Sequence, residues 1–257
     1  MATTRASRGS APLAAYVLHR YDWSESSLIL DLFTREQGRL AVAAKGAKRP
    51  YSQLRAVLLP FQRIHVNLGR AARDETSSDV QTLRGAEWAG GAAMLTGAAL
   101  FSGFYLNELL MKLLARHDPH PALFDAYAAT LPTLAETHDV VVEAALRAFE
   151  LTLLQQVGVL PDLSVDTQTQ ELVQAGKRYV LTAEAGLTGA RAEEDALGGE
   201  ALVGLQAALE HGSLPALQQA CRTGLAALKT QLRGVIQHHL GSTTLRTRRV
   251  MMELQGL

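Results

Sequence analysis

The sequence predicts an α+β multidomain chain, with an N-terminal closed β-barrel followed by an α-helical domain that carries a small loop-rich insertion. Three observations predict it. Apolar residues alternate with a period of two through the first third of the chain, and they recur every three or four residues through most of the rest. A polar stretch punctuated by glycines interrupts the second pattern. At 257 residues, 47% of them hydrophobic, the chain has the length and composition for one or two cored domains.

The barrel is expected over residues 1–85. Ile64, Val66 and Leu68 alternate with Arg63, His65 and Asn67 as in a half-buried strand, and Leu28, Leu30 and Leu32 do the same. Ile29 and Phe33 make the second side of that strand partly apolar as well, which predicts a central position. Ala15–His19, Leu40–Ala44 and Asp79–Leu83 complete a set of five, separated by turn signals at Glu36-Gln37-Gly38, Lys45-Gly46, Gly69 and Asp74–Ser78. Five short strands favour closure, because closure removes exposed edges.

The helical domain is expected over 86–160 and 200–257, with the period changing from about Glu87. Leu106, Leu109, Leu110, Leu113 and Leu114 form one stripe, and Leu146, Phe149, Leu153 and Leu154 another. The second helix should stop at Gly158, with Pro161 just beyond. Residues 161–199 hold Gly186, Gly189, Gly198 and Gly199 and read as an insertion with a short strand at Arg178–Thr182. Helix returns over Leu202–Leu209 and from about Pro215 to Leu240, and Gly241 ends it.

Net charge is zero, but it is segregated. Residues 1–85 hold 13 Lys+Arg against 7 Asp+Glu, residues 86–220 hold 6 against 17, and residues 221–257 hold 6 against 1. The basic ends are the candidates for a polyanion partner. Thr34–Arg55 concentrates the signal: Arg35, Arg39, Lys45, Lys48, Arg49 and Arg55 oppose only Glu36, and Gly38, Gly46 and Pro50 break the run into turns. Such cations suit a nucleic-acid backbone, since neutralised phosphates release counterions whatever the sequence. Of the rings in this half, Phe33 and Phe61 lie among apolar strand residues and are expected in the core. Tyr16, Tyr21, Trp23 and Tyr51 also lie in this half, where a few rings could stack on bases, and Tyr51, amid charge and turns, is the better candidate.

Several function classes are disfavoured. No apolar run is long enough to span a membrane, and MATTRASRGSAPLAAYVLHR has no apolar core after its charges, so a cytoplasmic location is expected. The single Cys221 excludes an internal disulfide and thiolate clusters, and its helical setting reads as a small buried residue. No phosphate-cradling loop, dinucleotide fingerprint, nucleophile elbow or HExxH occurs. His117 and His120 stand either side of a proline in RHDPHP and read as a loop between helices rather than a metal site. His238 and His239 fall on different sides of one helix. These absences weaken the case for an enzyme, and no cofactor is expected.

The blocks Tyr16-Val17-Leu18, Ser24-Glu25-Ser26-Ser27-Leu28, Phe33-Thr34-Arg35-Glu36-Gln37-Gly38-Arg39, Ala44-Lys45-Gly46-Ala47-Lys48-Arg49 and Leu59-Pro60-Phe61 resemble the RecO family of bacterial recombination mediators. Tyr105-Leu106-Asn107-Glu108-Leu109, His120-Pro121-Ala122-Leu123-Phe124 and Arg147-Ala148-Phe149-Glu150-Leu151 resemble its helical domain. The resemblance covers most of the chain, in order.

It implies an N-terminal OB fold and a non-catalytic role in DNA repair and recombination after DNA damage. Such proteins bind single- and double-stranded DNA, anneal complementary strands and, with RecR in the RecFOR pathway, help RecA replace single-strand DNA-binding protein (SSB). Expected partners are therefore DNA, RecR, the C-terminal tail of SSB and, indirectly, RecA, with no membrane and with association to the nucleoid. On this reading Arg35, Arg39, Lys45, Lys48, Arg49 and Arg55 form the phosphate-binding face with Tyr51. Arg246, Arg248 and Arg249 extend it if the tail folds back near the barrel. Lys112, Arg116, Arg178, Arg222 and Lys229 are candidates to receive the SSB tail.

One departure stands out. Many family members carry zinc-binding cysteines just after the block that here reads Gly158-Val159-Leu160-Pro161-Asp162-Leu163, whereas residues 161–199 contain neither Cys nor His. No zinc is expected. The alternative to the whole reading is a protein-interaction adaptor whose own DNA binding is minor.

Overall fold

A computed structural model describes residues 11–69, 80–91, 94–241, 245–247 and 249–250. The turn expected at Asp74–Ser78, Asp79 and Arg248 lie outside the described residues.

Alternation builds the first unit. Strands β1 (Leu13–Asp22), β2 (Leu28–Thr34), β3 (Gly38–Ala44), β4 (Gln62–Leu68) and β5 (Val80–Gly91) close into a barrel of order β1-β2-β3-β5-β4, with one-turn helix α1 (Leu54–Val57) between β3 and β4. β1 pairs antiparallel with both β2 and β4, closing the ring, and β3 meets β5 in parallel. Ala15, Val17, Leu30, Leu32, Leu40, Val42, Ile64 and Val66 point inward as one buried cluster. This is the five-stranded Greek-key arrangement of an OB fold.

β2 is central, as expected, and its outer side is also withdrawn from solvent. Asp31 and Phe33 are both buried there. Phe61 is buried too, while Tyr51 is 98% exposed.

The last strand differs from expectation. In place of a helical period from about Glu87, β5 continues through residue 85 to Gly91, paired with β4 from Gly91↔Gln62 to Leu83↔Leu68. Arg84–Gly90 is only partly buried and has no clean alternation, so pairing with β4, rather than a local pattern, makes it a strand.

The second unit is helical. It contains α2 (Gly97–Leu113), α3 (Pro121–Thr133), α4 (Asp139–Gln156), α5 (Gly199–Glu210), α6 (Leu214–Cys221) and α7 (Leu225–His239). Leu106, Leu109, Leu110, Phe149, Leu153 and Leu154 are all buried, as their spacing predicts. α4 closes as predicted. Gly158 takes φ +75°, its amide donates to the Gln155 carbonyl, and the Val159 amide donates to that of Leu154, which together satisfy the last carbonyls.

The expected single helix from Pro215 to Leu240 is instead two, α6 and α7. Gly224 interrupts it with φ +77°, a left-handed conformation that glycine adopts without steric cost.

The insertion holds the expected strand, β6 (Arg178–Thr182), together with β7 (Gly186–Gly189) and β8 (Leu197–Gly198) in an antiparallel sheet of order β7-β6-β8. Residues 115–119, between α2 and α3, belong to the barrel unit.

Candidate nucleic-acid interface

The basic loop between β3 and α1 is wound tightly by its own backbone. The amides of Ala47, Arg49, Ser52 and Arg55 donate to the carbonyls of Ala44, Gly46, Arg49 and Ser52 respectively, and Gly46 supplies φ +73°. Ala47 sinks into the barrel core and anchors the loop from below. The loop between β1 and β2 anchors it from the side. The Lys48 amide donates to the Ser26 carbonyl (3.0 Å), the Gly46 amide to Ser27 Oγ (3.4 Å), and Lys48 Nζ sits 3.1 Å from Asp22 Oδ1.

The result is a fixed platform. Lys45, Arg49, Arg55 and Tyr51 are exposed on it, and Lys45, Gly46, Arg49, Pro50, Tyr51 and Ser52 line a shallow depression. Among the described residues, none of Lys45, Arg49 and Arg55 is in an ion pair.

The other predicted cations are placed differently. Arg39 lies 3.0 Å from the buried carboxylate of Asp31, with its side chain only 13% exposed. Arg116 approaches the same carboxylate at 3.8 Å. Burial raises the Asp31 carboxyl above its ordinary range, against the opposing pull of Arg39 and Arg116. Arg39 is thus committed within the fold. A lone acid inside the apolar strand Leu28–Thr34 is the signal that would have pointed to such a partner.

Arg35 is half-buried in the tight β2–β3 hairpin, where its amide donates to the Ala14 carbonyl and Thr34 Oγ1 donates to the Gly38 carbonyl. The outer face of β2 and β3, often the ligand face of an OB fold, is largely buried here, and exposed cations lie on the loop after β3 and at Arg20 of β1 and Arg84 of β5.

The tail belongs to the helical unit. The amides of Arg246 and Thr247 donate to the Glu108 carboxylate at 2.8 and 3.0 Å. Glu108 is partly desolvated, but these donors and the Thr247 hydroxyl hold its carboxyl below the usual range. The side chains of Arg246 and Arg249 are exposed.

Of the five candidates for the SSB tail, Lys112 pairs with Glu108, Arg116, in the barrel unit, approaches Asp31, Arg178 donates to the Glu194 carbonyl and Lys229 pairs with Glu143, while Arg222 is exposed.

Cys221 is fully buried, and burial pushes its thiol up to about 12. It lies near a buried network in which Arg147 and Tyr105 both donate to Glu150. His117 and His120 stand in the segment joining α2 and α3, with the His117 amide donating to the Arg39 carbonyl. His238 and His239 do meet edge to face, with centroids 5.3 Å apart, and His238 Nδ1 lies 3.0 Å from Glu184.

In the insertion, Asp166 accepts the amides of Gln168 and Thr169 on one oxygen and that of Gly189 on the other. Its carboxylate is saturated by amides, and no imidazole or thiol lies between residues 161 and 199, so this donor set does not fit zinc.

The comparison with known sequences is decisive. Residues 12–90 match the family model described as Recombination protein O N terminal, and residues 94–249 match Recombination protein O C terminal. The chain belongs to the RecO family. RecO relatives run the full length. The DNA repair protein RecO of Polaromonas sp. (strain JS666 / ATCC BAA-500) is 51% identical over 259 residues, covering all of both chains. That of Verminephrobacter eiseniae is 52% identical over 245 residues, 95% of this chain and 96% of the relative. Membership places the chain among DNA repair proteins and assigns the barrel to the RecO N-terminal domain.

Proposed function

We propose that this protein is a non-catalytic mediator of DNA repair and recombination that binds single- and double-stranded DNA through the platform between β3 and α1. It anneals complementary strands and, with RecR, promotes RecA loading onto strands coated with SSB. It acts on the nucleoid in the cytoplasm, and the SSB tail is a further ligand.

The observation that carries this reading is the exposed set Lys45, Arg49 and Arg55, in no ion pair among the described residues, around a fully exposed Tyr51, on a loop held from two sides. Fixed cations suit phosphates at no cost in loop ordering, and a free ring suits any base. Two strands neutralised on one cationic surface repel each other less, which favours pairing. Lys48 contributes less charge, because Asp22 already pairs with it, and its part is to hold the loop. Arg39 is held by the buried Asp31 and takes no part in the platform.

The test is a fluorescence anisotropy titration of a labelled single strand and its duplex at several salt concentrations, with the wild type and a Lys45→Glu, Arg49→Glu variant. Steep salt dependence in the wild type and loss of binding and annealing in the variant are expected. Equal affinity in both proteins would favour the adaptor alternative, in which protein partners carry the function. Labelled DNA incubated with magnesium should be recovered uncut.

A further inference from the structure

Besides Tyr51, two other large rings are exposed at the same end of the barrel. Trp23 is 56% exposed and Tyr21 47% exposed. Their position follows from register: Asp22 pairs with Leu28 across β1 and β2, and Leu28 pairs with Ala44 across β2 and β3, so the 23–27 turn and the loop after Ala44 leave the barrel side by side. The backbone bonds from Lys48 to Ser26 and from Gly46 to Ser27, with the Lys48–Asp22 ion pair, join the two loops into one piece.

Within the turn, the Trp23 and Ser24 amides both donate to the Ser27 carbonyl, so the backbone that carries the indole is itself closed into a tight loop. An isolated exposed ring is ordinary. A tryptophan and a tyrosine on two interlocked loops, flanking exposed cations, are a different arrangement.

The charges divide between the loops. Residues 22–27 hold Asp22 and Glu25 and no Lys or Arg, whereas Lys45–Arg55 holds four cations and no acid. The first loop therefore offers no cation to a phosphate, and its one large exposed group is the Trp23 ring, suited to an uncharged base.

We propose that Trp23 is a second base-stacking residue of this surface, acting with Tyr51 across the phosphate-holding loop, so that the surface discriminates for unpaired nucleobases against duplex. The inference rests on the DNA-binding reading above. In a duplex the base faces are covered by their neighbours, so only the phosphate contacts remain. On an open strand both rings find a partner.

Trp23 and Trp88 are the two tryptophans of the chain. Trp88 stands on β5, where it donates to Gln62 Oε1 and pairs with Ile64 rather than joining these loops. A full-length Trp88→Phe variant, excited at the red edge where tyrosine does not absorb, therefore makes the tryptophan emission a report on Trp23 alone. Three probes of equal length are titrated into it: oligo(dT), an abasic oligodeoxynucleotide with the same phosphates, and a duplex. The expected result is quenching by oligo(dT) well beyond that caused by either of the others.

In anisotropy, Trp23→Ala should lose about five- to a hundredfold in affinity for the single strand and keep its duplex affinity. Trp23→Phe should recover most of the loss. Equal quenching by abasic and dT strands, or equal weakening of strand and duplex by Trp23→Ala, would overturn the inference while leaving DNA binding intact. Absence of binding to any of the probes at low salt would overturn the underlying reading and this one with it.

Discussion

The Asp118 backbone occupies the space that a side chain on Gly38 would need, with its carbonyl oxygen well inside van der Waals distance of where a Cβ would stand. Gly38 also takes φ +68°, closing the hairpin between β2 and β3. The neighbouring Arg39 carbonyl accepts the His117 amide at 3.0 Å. Gly38→Ala therefore meets both a backbone penalty and a backbone clash. It should cost at least about 2 kcal/mol and lower the melting temperature. Gly46→Ala is the control: its φ is +73° but its nearest neighbour is the Arg49 side chain at 3.5 Å, so it carries only the backbone part, about 1 kcal/mol. Equal losses in urea unfolding would show that residues 115–119 are not held against Gly38.

The basic run separates into cations that hold the fold and cations that face outward. Arg39→Ala leaves the buried Asp31 with Arg116 as its remaining partner at 3.8 Å, and should cost on the order of 2–3 kcal/mol of stability. Lys45→Ala and Arg49→Ala should leave stability within about 0.5 kcal/mol. Each should lower the salt slope of single-strand binding by about 0.7 for every phosphate that the variant no longer neutralises. Chemical denaturation and salt titrations on the three variants read the two effects separately. An Arg39→Ala protein that is fully stable but defective in binding would make Arg39 part of the proposed phosphate-binding set.

Much of this architecture is legible in the sequence alone, and the reasons are physical. Ile64, Val66, Leu30 and Leu32 alternate because a closed barrel has one inward side, and Leu106, Leu109 and Leu110 recur because α2 buries one stripe. What is not legible depends on partners distant in sequence. Arg84–Gly91 becomes strand by pairing with β4, and Arg39 leaves the solvent because Asp31, eight residues earlier, is buried beside it. The division of α6 from α7 turns on a single glycine that a continuous leucine stripe conceals. Tyr51 is legible because nothing apolar surrounds it in sequence. Trp23 gains its meaning only because the loop carrying it is bonded to the loop carrying Lys48.

Asp166 should make the insertion sensitive to acid. The amides of Thr169, Gln168 and Gly189 hold its carboxyl below the usual aspartate range, so the folded state favours the charged form. For a depressed carboxyl the contribution is present above the unfolded value, about 4, and is lost as pH falls through the folded one. Amide exchange at Gln168, Thr169 and Gly189 should accelerate selectively as pH falls below about 4, after correction for intrinsic rates. Asp166→Asn should weaken the same amides at neutral pH, by about 1–3 kcal/mol, and remove the pH dependence. Protection in the variant equal to that of wild type would show that the clasp does not hold the insertion.

Cys221 offers a probe of the helical unit that leaves Lys45, Arg49 and Tyr51 unchanged. Its thiol is fully buried and pushed up to about 12 by desolvation, so at pH 8 the thiolate fraction is on the order of 10⁻⁴, against about a quarter for an ordinary cysteine. A thiol-reactive disulfide reagent should label the native protein more than a hundredfold more slowly than the urea-unfolded chain. Whatever labelling does occur then reports opening of the packing around α6, and it should quicken as denaturant is added below the unfolding midpoint. Complete labelling of the native protein at the unfolded rate would mean that α6 does not close over the thiol, and the burial of the Arg147–Glu150 pair near it would then be in question.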